Sequence, residues 1–393
     1  MSEYIPFING SGDCKIAKKI FSDCELIRIS LDSYSNISHM LPKSVSLWVD
    51  LSIDGSHCLL NGKNRESNWI SYIKSYTNSD MLCDASKLNK IDQAVVKAFV
   101  FEIMDRALQL KPKWITLPQI PICDDTSRNK LNKILAIKSA EWRSERQFNG
   151  NLIFPLVFTH QNQTKGKTEW VKTLTNAQKW YNLSGANGLW TVDSSLNDED
   201  CSKGIANRLK QLIDFSVALN ETFSSTPIKV TGPYWGFNLV LWARGLFNHP
   251  AISLGSAYQY YLSGGFIKQG KARIALTPLR RRAIADPGLR GWLEYSLTKI
   301  SQNDPAYKEF LTLTKDYELI SLEYSSKEQV AKFYREWINK IESIPIEGRS
   351  LYLYQDFSSA YILGKQIDQN LPDSEKSARL PEKIAQQLML TCL

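Results

Sequence analysis

Lys229–Gly265 reads KVTGPYWGFNLVLWARGLFNHPAISLGSAYQYYLSGG, and it decides the fold. Ile228–Val230 is a short β-branched strand stopped by Thr231-Gly232-Pro233. Asn238–Leu246 is apolar enough for a buried helix, and Ala251–Leu254 is a second apolar strand ended by Gly255-Ser256. Strand, helix and strand with polar turns form a βαβ unit. Ligands in such folds are held at the carboxyl ends of the strands.

Working outward, the same alternation extends from about residue 45 to about residue 300. Buried-type strands are expected at Val45–Val49, Met81–Cys83, Trp114–Leu117, Leu152–Phe158 and Gly188–Val192, ahead of the opening pair. Helices fall between them, such as Ile91–Leu110 with its spaced apolar residues and Arg128–Trp142 after an Asp124–Ser127 cap. Apolar runs alternating with helices argue for a parallel sheet. Ala272–Leu276 supplies an eighth strand, so the fold class expected is α/β, a (β/α)8 TIM-type barrel closed by Leu289–Ile300. An open doubly wound sheet is the alternative, but no Gly-x-Gly-x-x-Gly turn follows the first strand. Residues 1–300 are taken as the barrel with an N-terminal lead-in, in which Tyr4–Ile8 and Glu25–Ile29 are short strands. Residues 301–393 form an α-rich appendage with amphipathic helices at Asp304–Leu313 and Lys327–Ile341, a strand at Ser350–Tyr354 and a last helix at Glu382–Leu390.

Of the 393 residues, 43% are apolar and 22% charged, an ordinary globular balance. No apolar run reaches the roughly 20 residues of a membrane span. The opening MSEYIPFINGSGD lacks the pattern of a secretory signal. Seven scattered cysteines without Cys-x-x-Cys spacing read as reduced thiols, so a cytoplasmic protein without a disulfide framework, zinc site or cofactor is expected. The net charge is +8, yet residues 301–393 carry 11 Lys+Arg against 14 Asp+Glu, while residues 265–300 carry 8 against 2. An acidic appendage beside a basic barrel suits docking, onto the barrel or onto a protein partner, and the basic segment suits phosphate.

Nearly every expected strand ends in a polar group. Asp50, Asp84 and Asp193 are the carboxylates expected at the mouth, where they would divide acid, base and nucleophile roles or hold a hard cation. Capping of the following helices is the structural alternative, above all for Asp193-Ser194-Ser195. His160, in the cluster THQNQ, is the histidine placed for acid/base work, although a loop-satisfied imidazole reads equally well. Gln119 follows another strand. Arg128 and Lys130 open a helix where an anion would be favoured. Tyr234 and Trp235, and Ser256, Tyr258 and Gln259, put aromatic and polar groups between glycines, as a clamp for a base or sugar or as apolar filling of a lid. Arg280, Arg281 and Arg282 follow the last expected strand, where barrels of this kind often hold phosphate; a solvated charge run is the alternative.

Residues 128–200 resemble the tRNA-guanine transglycosylase-like barrels. The likeness lies in a helix with Arg128, Trp142, Arg143 and Arg146, the strand FPLVFTHQ ending in Gln161, and Gly188-Leu189-Trp190-Thr191-Val192. That resemblance implies a barrel that exchanges a base at a ribosyl carbon through an aspartate nucleophile. The nearest analogue of the family's Asp-Ser-Gly-Gly-Phe turn is Asp84-Ala85-Ser86; Asp193-Ser194 stands where paired glycines are expected, and the zinc ligands are absent. Asp84 and Gln161 are the residues it carries over.

The function expected is glycosidic-bond cleavage or transfer on a phosphate-bearing, base-containing ligand, a nucleotide or nucleic acid. A non-catalytic subunit binding nucleic acid or protein in a bacterial multi-protein complex is the second expectation. A metal-dependent hydrolase using the same carboxylates is the third.

Overall fold

The structure is a computed structural model that describes residues 4–8, 10–31, 34, 37–41, 44–51, 92–120, 122, 126–158, 167–193, 206–234, 236–254, 273–318, 325–369, 371, 386 and 388–392. Within these stretches, the side chains of 127, 128, 167, 169, 206–208, 273, 282, 284, 325 and 326 are not described.

Eight parallel strands close into a barrel, so the chain is a TIM barrel with a helix-rich C-terminal region. The strands are β1 (Ile5–Ile8), β2 (Leu26–Ser30), β3 (Ser46–Asp50), β4 (Trp114–Thr116), β5 (Asn151–Phe158), β6 (Gly188–Asp193), β7 (Ile228–Thr231) and β8 (His249–Ser253). The seam is made by β1 and β8, with Ile5 opposite Ala251 and Phe7 opposite Ser253. The outer layer includes α1 (Ser11–Ile20), α2 (Gln93–Gln109), α3 (Thr126–Arg146), α4 (Lys167–Ser184), α5 (Ala206–Thr222) and the short α6 (Phe237–Ala243).

The barrel begins earlier and ends earlier than the strand count from sequence implies. The supposed lead-in strands are β1 and β2. The strand expected at Ala272–Leu276 is present over Arg273–Leu276, but it is not the eighth: this β9 (Arg273–Leu276) pairs antiparallel with β10 (Arg281–Ile284) in a separate hairpin. The expected strand Met81–Cys83 lies outside the described residues, and β3 pairs directly with β4 without it. The opening stretch is therefore the seventh and eighth units of the barrel.

Pleat and register decide which residues fill the interior. Phe7 lies opposite Arg28, Arg28 opposite Trp48, and Trp48 opposite Trp114. These side chains face the barrel axis. The Phe7 and Trp48 rings meet at 5.3 Å, Phe7 and Trp190 at 5.6 Å, Trp48 and Trp190 at 5.7 Å, and Trp48 and Trp114 at 5.7 Å, in tilted and edge-on contacts favoured by ring quadrupoles. Two of the indoles are also satisfied as donors: Trp48 Nε1 donates to Thr116 Oγ1 at 2.6 Å, and Trp190 Nε1 to the Gly232 carbonyl at 2.8 Å. Alternate residues face the helices. Phe158 meets Phe215 of α5 at 4.7 Å, and Phe154 meets Tyr181 of α4 at 6.1 Å.

The C-terminal helices are α7 (Pro287–Lys299), α8 (Pro305–Lys315), α9 (Ser325–Glu342) and α10 (Ile346–Asp368). The expected strand Ser350–Tyr354 is helical, part of α10. A second apolar core joins Ile274, Leu276, Leu293, Phe310 and Ile367 under the hairpin. Helix α10 serves both cores: Leu353 and Phe357 belong to the barrel's, Leu363 and Ile367 to the second.

Helix α9 packs beside α1, in the outer layer of the barrel, and against β9 of the hairpin. Lys19 pairs with Glu328 at 2.5 Å, and Arg335 pairs with Asp23 while its guanidinium stands 4.6 Å over the Tyr4 ring. The C-terminal region thus docks on the barrel itself.

A candidate active site at the barrel mouth

The carboxyl ends of the strands hold an ion pair inside the barrel. The run LIRIS puts Arg28 in the middle of β2, on the same face as Ser30. Register places Arg28 opposite Trp48 and Ser30 opposite Asp50. Asp50 Oδ2 accepts from Arg28 Nε at 3.1 Å and also from Arg28 Nη2. The two side chains are 1% and 0% exposed. The guanidinium also lies 4.8 Å over the Phe7 ring, whose electron-rich face favours a cation. Removing both charges from water is costly, and the pairing, the hydrogen bonds and the ring offset that cost.

The interior polar residues are unevenly placed. Arg28, Ser30, Asp50, Thr116 and Ser253 come from β2, β3, β4 and β8. Across the barrel the corresponding inward positions near the mouth are Val157 and Val192, both buried. The connections after β3, β5, β6 and β8 lie outside the described residues.

Asp193 does not share the face of Asp50. It lies opposite Phe158 in register, and Phe158 faces the helix layer, whereas Trp190 faces the axis. Its backbone N–H donates to the Tyr234 hydroxyl. Tyr234 is buried, with its ring 6.3 Å from Phe237, so it ties the end of β6 to the turn after β7. Gln119 is buried against α3, where turning its amide so that the nitrogen meets Asn132 O and Oδ1 at 3.2 Å and the oxygen meets the Ala136 N–H at 3.1 Å satisfies both ends. Asn132 in turn bonds the backbone of Ile120 through both amide atoms, at 2.9 and 3.0 Å. This amide pair seats α3 under the end of β4.

Lys130 is exposed in the first turn of α3, and the side chain of Arg128 there is not described. Arg280 is at the hairpin bend, where it closes a two-point contact with Asp356 of α10 at 2.6 and 2.7 Å. Its guanidinium also lies 5.7 Å from the Phe333 ring. Burial works against its charge, but Asp356, Tyr352 and Glu309 hold its pKa above the ordinary value. Arg281 is in β10, as is Arg282, whose side chain is not described. They still come after the eighth barrel strand, β8, but in a separate hairpin and not directly at the end of a barrel strand. Asp84, His160, Gln161, Trp235, Ser256, Tyr258 and Gln259 lie outside the described residues.

Sequence reasoning missed Arg28 and Ser30. The signal was a charged residue within the apolar run LIRIS, an unusual position for an arginine unless it is paired. Among the described residues, no group of three or more His, Cys, Asp or Glu side chains is placed to hold a metal ion. No helix among them is long and apolar enough to cross a membrane.

No family model and no curated protein matches the chain. Among solved structures, it is similar to the carboxyl transferase domain of pyruvate carboxylase from Rhizobium etli, solved with pyruvate, at 12% identity and a TM-score of 0.36. The similarity covers 100% of this chain and 62% of that one. The barrel rests on its own strand pairing and draws nothing from a likeness at this level.

Proposed function

We propose that the protein is an enzyme whose reaction takes place at the barrel mouth and centres on Asp50. The observation that carries this reading is the buried Arg28–Asp50 pair on the inward face at the carboxyl ends of β2 and β3. That end of the fold is where barrel enzymes place their chemistry. A desolvated ion pair costs stability that an apolar pair of similar size would not, so its presence at this end supports a working role.

The reaction class we propose is cleavage or transfer of a glycosidic bond in a base-containing, phosphate-bearing ligand. The Asp50 carboxylate would attack the sugar's anomeric carbon. The bond to the base breaks, its electron pair leaves with the base, and the base takes a proton from solvent water. Water or an incoming base then takes the anomeric carbon from Asp50 and restores the carboxylate. Arg28 holds the carboxylate in one orientation throughout, and Ser30 and Ser253 offer hydroxyls on the same side. The choice of a base-containing ligand rests on the resemblance of residues 128–200 to base-exchanging barrels. The test is release or exchange of a labelled base from nucleosides, nucleotides and RNA. Asp50→Asn should lower turnover on the order of 10^3-fold or more, with folding intact by circular dichroism. Turnover kept within a few-fold would sink the assignment.

A non-catalytic binding role is the second reading. It is favoured by the three tryptophans and Phe7 that fill the barrel axis and by the commitment of Asp50 Oδ2 to Arg28. Nucleic-acid affinity that falls steeply with salt and is unmoved by Asp50→Asn would support it.

A further inference from the structure

The turn between β7 and α6 touches more of the molecule than its length suggests. At its start, the Gly232 carbonyl accepts from Trp190 Nε1 inside the barrel at 2.8 Å, and Tyr234 accepts from the Asp193 N–H at the end of β6. At its end, Asn238 donates from Nδ2 to the Ala251 carbonyl of β8 at 2.7 Å. One short segment therefore links β6, β7 and β8 at the mouth.

The same segment is held from behind by the C-terminal region. Tyr334 of α9 donates to Asn238 Oδ1 at 2.8 Å, and its hydroxyl accepts from the Gly236 backbone. Tyr334 is 6% exposed and Asn238 0%. Gly236 has φ +70°, and a Cβ placed there would stand 3.3 Å from Leu388 and 3.4 Å from Trp337. The backbone of Gly236 is thus pressed against two apolar side chains of the C-terminal region. Leu388 is fully buried, and its segment is pinned by Arg244 Nη1 donating to the Thr391 carbonyl at 3.1 Å.

We infer that the C-terminal region is a brace that positions the barrel mouth: Tyr334, Trp337 and Leu388 hold the Gly232–Asn238 turn, and the turn holds Asp193 and Trp190. Whatever loosens α9 or the Leu388 segment also loosens the β6–β7 side of the mouth. By linkage, a ligand that prefers the closed turn tightens the docking of the C-terminal region by the same factor. This coupling stands on the hydrogen bonds and packing of the turn and is independent of the reaction assigned to Asp50.

The test needs no substrate. Amide exchange at Asp193 and the indole N–H resonance of Trp190 report on the mouth by NMR, and the Trp292 indole reports on the second core. Tyr334→Phe removes a hydroxyl and leaves Asn238 Oδ1 short of a donor. It should speed Asp193 exchange roughly tenfold and shift the Trp190 indole signal, with Trp292 unmoved. Leu388→Ala should do the same by a packing route. Tyr317→Phe is the control, because that hydroxyl donates to the Asp286 carbonyl within the second core. Wild-type exchange and indole signals in both Tyr334→Phe and Leu388→Ala would overturn the inference. So would an equal response to Tyr317→Phe, since the effect would then be general destabilisation.

Discussion

Arg28 donates from two nitrogens to a single oxygen of Asp50, and 22 residues of chain separate them. The pair is local in the sheet because β2 and β3 are neighbours, and it is buried because both residues fall on the inward side of the pleat.

Removing one member of that pair should be worse than removing both. Asp50→Asn or Arg28→Met alone leaves a buried polar or charged group without its partner and should cost about 3–5 kcal/mol. The double variant should cost clearly less than the sum of the two singles. Urea unfolding of the four proteins measures the coupling, and simple additivity would contradict the arrangement.

Trp190 joins packing to a hydrogen bond. Trp190→Ala should destabilise by about 3–5 kcal/mol through the cavity it leaves. Trp190→Phe should cost less but free the Gly232 carbonyl, so its effect should concentrate in faster exchange of the β7–α6 turn. Calorimetry with hydrogen exchange separates the two.

Two glycines should respond in opposite directions to alanine. Gly236→Ala meets a left-handed backbone and close neighbours, and should cost about 1–2 kcal/mol. Gly291 lies in α7, where an added methyl group would meet nothing within 4 Å, so Gly291→Ala should stabilise by about 0.5–1 kcal/mol. Thermal unfolding of both variants is the check.

Glu309 sits beside Thr277, which donates to its Oε2. Burial raises its pKa, Arg280 opposes the rise, and Glu336 adds to it. A carboxyl whose folded pKa is raised lends stability below its unfolded pKa, and that stability is lost as pH rises through the folded pKa. Glu309→Gln should therefore stabilise at neutral pH, by less than about 1 kcal/mol because the half-exposed group is screened. The gain should vanish below the unfolded glutamate pKa of about 4.3. A gain that persists in acid would point to another cause.

Burial raises the Cys14 thiol to about 11, with help from Asp13, and raises the Cys24 and Cys392 thiols to about 12. All three should resist maleimide labelling at mildly alkaline pH in the native protein and react fully in denaturant. Peptide mapping after labelling locates them individually.

The barrel was legible because its strands are apolar runs bounded by breakers, and Trp114–Leu117, Leu152–Phe158 and Gly188–Val192 each lie within about a residue or two of a strand. A strand's partner was not legible. The run RIAL is as good a strand as any in the barrel, and only the closing of β1 on β8 excludes it. Ser350–Tyr354 alternates like a strand over five residues. Over the longer window, Leu353, Phe357, Ala360, Leu363 and Ile367 recur at helical spacing, and the longer pattern wins. At the site, Asp50 was visible as a carboxylate at a strand end. Its partner was not, because reading Glu25–Ile29 as a lead-in kept Arg28 out of the barrel. Asp193 ends a strand too, but the parity of the pleat, set by where Trp190 points, turns it to the other side.

The placement of α9 beside α1 has a consequence for synthesis. Asp23 meets its partner Arg335 only after 312 further residues have been joined. At about 5–20 residues per second, that is roughly 15–60 s during which the emerging chain carries Tyr4 and Phe21 without the cover of α9. The first segment made is among the last to be covered, so a ribosome-bound chain should lean on chaperones that shield its N-terminal segment until α9 emerges.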